Sequence, residues 1–223
     1  MCFTPQVSLS TAIIEFVTGT SIWIFFRKSL VNRFCIVFLY LLGFYQFTEF
    51  MLCTSDDPVL WVKLGYITYT FLPAMGLHFA IRITDRKYKG WLLYVLPVTF
   101  SLIAIFTKDF VITSVCSTVF VIVRLSKSLI HSLLYTIYYF GFIALVCFFL
   151  WNRFRKEKNL IRRKLYILDL LTVLASLISA LILIVIFPSL GIMFPSIYCQ
   201  FALLFAIAAL VGAYLDSRLQ TKK

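Results

Sequence analysis

The sequence predicts an all-α polytopic membrane protein, a bundle of seven transmembrane helices with its N-terminus outside and its C-terminus in the cytoplasm. Three observations predict it. The 223 residues are 62% hydrophobic and only 13% charged, with a mean hydropathy of +0.98. A water-soluble domain is about half apolar and about a quarter charged. The apolar residues come in runs long enough to cross a bilayer. The net charge of +12 is gathered in the connections between those runs, which is how orientation in a membrane is written. The same charge in a soluble chain would point to nucleic acid; here anionic lipid headgroups are the expected partner and nucleic acid is not.

The first span is expected over about 8–26, stopped by Arg27, Lys28 and Arg33. No basic leader or small-residue cleavage site precedes it, so it is expected to remain as an anchor. The second span covers about 34–52 and ends in CTSDDP, a turn built on Asp56, Asp57 and Pro58. The third, about 61–83, is apolar nearly all round and carries Pro73, a defect that neighbouring helices in a bundle tolerate. Arg82, Arg86, Lys87 and Lys89 close it. The fourth covers about 91–106, with Pro97 inside it.

Phe110–Val123 is apolar, short and β-branched. It reads as a thin eighth span, an interfacial segment or a small hairpin. Charge decides between seven spans and eight. With seven, the basic clusters at 27–33, 82–89, 153–164 and 218–223 fall on one side. Thr107–Ser128 is then an outer loop. Spans five, six and seven follow at about 130–151, 165–187 and 197–215. The chain is expected to be one integral domain over 1–223, with no soluble output domain.

Ionisable groups inside spans are costly and are functional candidates by default. Glu15 shares a helix face with Ser8, Thr11 and Thr18; Gln46, Glu49 and Cys53 share another. Lys63, Tyr66, His131 and Tyr135 lie toward the same end of their spans. Together Glu15, Gln46, Glu49, Lys63, Tyr66, His131 and Tyr135 suggest a polar ligand pocket in the outer half, with Lys63 as counter-ion to the carboxylates. Against this stands the plain reading of interfacial residues and a snorkelling lysine. At the other end, His78 or Arg82 facing Asp169 would make a polar latch, although hydroxyls and small residues at such positions often only pack helices.

The motifs of enzymes are missing. Two histidines lie on different spans, so no helix-borne metal pair exists, and no metal or other cofactor is expected. No nucleophile elbow or glycine-rich phosphate loop is present. Cys53 and Cys116 fall on the outer side and are a candidate disulfide, though spacing alone cannot assign pairing. Cys2 is a candidate reactive thiol once Met1 is removed, with an unremarkable thiol as the simpler reading.

LPAMGLHFAIRIT, with the Trp61–Thr70 run before it, resembles the third span of the seven-span sensor region at the N-terminus of bacterial membrane histidine kinases. The resemblance covers about Leu41–Leu215. The opening MCFTPQVSLSTA is similar to a group of bacterial multi-span proteins that begin Met-Cys-Phe-Ser. The first likeness implies a sensor in the bacterial inner membrane that binds a small or lipidic ligand and signals through a separate partner at its cytoplasmic loops. Two other readings stay open: a small-solute or proton-coupled transporter, and an intramembrane enzyme using Cys2 with Glu15 or His131.

Overall fold

A computed structural model describes residues 5–26, 29–84, 86, 88–107, 110–116, 121–125, 129–186 and 198–221. Among these residues the chain forms seven α-helices and one two-stranded ribbon. The helices are α1 (Pro5–Phe25), α2 (Leu30–Thr54), α3 (Pro58–Ile83), α4 (Val95–Phe106), α5 (Leu129–Lys156), α6 (Leu160–Ile186) and α7 (Tyr198–Thr221). A 3₁₀ turn, Gly90–Tyr94, leads into α4. α1, α2, α3, α5 and the 18 residues Ala202–Leu219 of α7 are long and apolar enough to cross a bilayer, and Gly90–Phe106 is a shorter apolar helix.

Several helices begin before the apolar runs, because capping extends them into polar sequence. The Ser29 side chain accepts the Asn32 amide at 3.0 Å and so starts α2. Asp57 accepts the Leu60 amide at 3.1 Å, with Pro58 in the first turn, and so starts α3. α5 runs on through Arg153, Arg155 and Lys156, whose charges suit the negative end of a helix.

The ambiguous segment is a hairpin. β1 (Val111–Cys116) pairs antiparallel with β2 (Val121–Leu125), with Cys116 opposite Val121 and an irregularity between Val111 and Thr113. β1 packs against α2 and α3. Its neighbour Phe110 is buried edge-on against the Tyr66 ring, centroid to centroid 4.8 Å. The β-branched residues that make this segment too short and stiff for a span suit a strand pair.

α1 and α2 form a tight antiparallel pair. Thr20 meets Tyr40 at 2.8 Å, and Ser8 reaches Glu49 at 3.4 Å. Between them, a side chain on Gly43 would meet the Phe16 ring at 2.9 Å, so glycine lets the two helices approach without moving that ring. α7 lies against α1, α2 and α6. Its buried alanines, Ala202, Ala206, Ala209 and Ala213, recur every three or four residues and form a small-residue seam. α5 packs on α3 and α6. Large apolar side chains such as Ile13, Trp23, Ile137, Phe148 and Ile207 are exposed on the outside of the bundle, where a lipid-facing surface places them.

Candidate functional site: a polar seam joined to a tyrosine cluster

The facing surfaces of α1 and α2 carry a buried column of polar groups. Ser8, Thr11, Glu15 and Thr18 line one side, and Gln46 and Glu49 the other; all are buried. The helix register sets their levels. Ser8 is opposite Glu49, and Phe16 is opposite Gly43. Glu15 therefore lies about 9 Å along the axis from Glu49. It stands at the midpoint of α1 (Pro5–Phe25).

The two carboxylates are held differently. Glu49 accepts the Tyr45 hydroxyl at 2.9 Å and the Ser8 hydroxyl at 3.4 Å. Glu15 is 0% exposed, and neither of its oxygens has a hydrogen-bond partner among the described residues. The Thr11 hydroxyl donates to the Val7 carbonyl at 2.9 Å and is not available to it as a donor.

Tyr45 connects this seam to an aromatic cluster between α3, α4 and α5. Its ring meets Tyr69 edge-on at 5.9 Å, and Tyr69 meets Tyr66 at 5.2 Å. Tyr66, Phe100, Phe110, Tyr135 and Tyr138 form one buried group. Tyr66 reaches His131 Nε2 at 3.5 Å, and Phe100 meets the His131 ring at 5.5 Å. The α5 tyrosines also hold α3 at its weak point. Pro73 has no amide hydrogen, so the turn before it lacks a helical bond. There Tyr138 donates to the Thr70 carbonyl at 2.6 Å, and the Tyr135 and Thr70 hydroxyls lie 3.1 Å apart.

Over residues 7–219 the chain matches the family described as the N-terminal 7TM region of histidine kinase. The chain belongs to that family. No curated relative and no solved structure matches it. Membership in the histidine-kinase 7TM family makes the chain a multi-pass membrane sensor module, and associates it with a signalling partner or a linked kinase domain.

Within this sensor module, Gln46, Glu49 and Glu15 share the α1–α2 seam, while Tyr66, His131 and Tyr135 share the α3–α5 cluster. Lys63 joins neither. Its Nζ donates to the carbonyls of Ile105 and Thr107 at 3.3 and 3.2 Å. It caps the end of α4, where a cation meets the negative end of the helix. The expected counter-ion role is corrected accordingly: an open helix end at the bundle rim offers Lys63 acceptors without the cost of desolvating its charge.

The latch at the other end is corrected too. His78 Nδ1 lies 3.0 Å from the Tyr94 hydroxyl, its ring stands edge-on to Phe34, and Arg82 is exposed. Asp169 instead comes within electrostatic reach of Cys35, as does Asp216 of α7. Asp169 Oδ2 is buried with no hydrogen-bond partner among the described residues. Sequence periodicity missed Asn32 and Asp216, both buried here, because each sits close to a helix end and reads as interfacial. It also passed over Tyr45, whose spacing of four from Glu49 was the available signal.

Cys53 is disulfide-bonded, while Cys35 and Cys147 are free. The side chains of Cys2 and Cys116 fall outside the described residues, so the expected Cys53 partner and the Cys2 thiol do too. No group of three metal-ligating side chains occurs among the described residues.

Proposed function

We propose that this sensor module recognises a small or lipidic ligand where the α1–α2 seam meets the tyrosine cluster. Glu49 and Gln46 would orient its polar part, and Tyr66, His131 and Tyr135 would line the rest. The observation that carries this reading is the continuous path from Glu49 through Tyr45 and Tyr69 to Tyr66 and His131. Buried polar groups in a bilayer are costly unless they serve a site or a fold.

The same cluster offers a route for the signal. A ligand that displaces Tyr135 or Tyr138 removes their bonds to Thr70, next to the Pro73 turn. α3 then bends differently, and its basic end at Arg82 and Arg86 moves with it. The partner, or a linked kinase domain, reads that end. In this proposal the protein sits in the bacterial inner membrane with its N-terminus outside and its C-terminus in the cytoplasm, as the basic clusters favour.

The test is native mass spectrometry of protein extracted gently from its own membrane. The wild type should carry a small molecule that is lost from Glu49→Gln and from His131→Ala, while Lys63→Met keeps it. An identical set of bound molecules in all four proteins would refute the site.

A further inference from the structure

Glu15 has a property that ligand recognition at Glu49 and His131 does not use. Its carboxyl is wholly enclosed at the midpoint of α1, and neither oxygen has a hydrogen-bond partner among the described residues. A carboxylate in that position needs something positive. The elements packed on α1 are α2 and α7. On α2, Glu49 stands about two turns away and is itself acidic, Tyr45 is committed to Glu49, and Arg33 is exposed toward the other end. Cys35 and Tyr40 lie on that other side too. On α7, Tyr214, Asp216 and Arg218 lie in the last turns, and Arg218 binds the Tyr214 hydroxyl. Side chains of residues 198–201 are outside the described set. No described cation stands at the level of Glu15.

The seam is also closed there. One residue away, the Phe16 ring packs on Gly43 so closely that an added side chain there would have to displace it. A solvated metal ion or an alkylammonium group needs several oxygen partners and several ångströms of space. A proton needs neither. It attaches to one carboxyl oxygen and removes the charge.

We propose that Glu15 is a proton-binding site, a carboxyl that carries its proton while α1 and α2 are packed and releases it to water when they part. The release leaves a carboxylate and one free proton, and no other reactant is required. Linkage then sets the direction. The packed seam binds the proton and the parted seam does not, so acid favours the packed state and alkali the parted one. The module thereby responds to proton activity as well as to a ligand. The inference rests on reading the seam as the sensing region, but its test needs no ligand.

The chain has three glutamates, Glu15, Glu49 and Glu157, so carbon-13 labelling of glutamate isolates their infrared bands. In lipid bilayers at neutral pH, labelled wild-type protein should show the carbonyl band of a protonated glutamate. Glu15→Gln should remove a component of it that Glu49→Gln retains. Glu15→Asp, grown with carbon-13 aspartate, should show a protonated band at the new position and confirms that the seam still folds around a carboxyl. No protonated band in the wild type, or a band left unchanged by Glu15→Gln, would overturn the assignment. Loss of the co-purifying molecule from Glu49→Gln with the Glu15 band intact would support both readings. An unchanged set of bound molecules with the band present would refute only the ligand site.

Discussion

Tyr138 makes a bond that the rest of α5 cannot replace. Its hydroxyl satisfies the Thr70 carbonyl in the turn that Pro73 weakens. Tyr138→Phe keeps the ring, which packs on Phe100 and Phe142, and removes only the donor. Losing one such buried hydrogen bond costs about 0.5–1.5 kcal/mol. Thermal unfolding in detergent should therefore fall by a few degrees, and hydrogen exchange should rise around Thr70 more than elsewhere. An unchanged melting curve would mean that this bond adds nothing to the helix's own hydrogen bonding. Single residues of this kind are half legible in the sequence. Tyr135 and Tyr138 are visibly polar tips on an apolar run, but their acceptor lies 68 residues away for Tyr138 and 65 for Tyr135, and no local spacing reports it.

Helix pairs are decided by how closely their backbones approach. α3 meets α2 at Gly65, where an added methyl would stand 2.8 Å from Thr48 Oγ1. Thr48 cannot yield easily, since it is buried and its hydroxyl donates to the Tyr45 carbonyl at 2.7 Å. Gly65→Ala should destabilise the bundle by about 1–3 kcal/mol, the usual cost of overpacking. Thr48→Ala in the same chain should restore most of that loss, because it removes the opposing atom. Failure of the second change to rescue the first would place the strain elsewhere than this contact. Tyr45 stands one turn from that contact and holds Glu49, so the double variant also tests whether helix spacing tunes the seam. The hairpin belongs to this scale as well. A strand pair is one of the three conformations that this apolar stretch allows. Phe110, buried on Tyr66, ties the start of the first strand to α3.

For the whole molecule, an odd number of spans puts the two termini in different compartments. Reporters placed at the N-terminus and after α7 should therefore answer from opposite sides, the latter from the cytoplasm. Reporters answering from one side would contradict the proposed orientation and the span count together. The family match over residues 7–219 agrees with seven spans and with a sensing role.

The sequence alone determined that the chain lives in a membrane, about where each helix lies and which residues are too polar to be there by chance. Those properties follow from local composition: hydrophobicity, charge and periodicity act on neighbours along the chain. The tertiary structure decided which of those polar residues meet. It set Ser8 against Glu49, sent Lys63 to the end of α4, gave His78 to Tyr94 instead of Asp169, and left Glu15 enclosed with no hydrogen-bond partner among the described residues. Each outcome depends on helix rotation and register, which close packing at Gly43, Gly65 and the α7 alanines fixes across long stretches of chain.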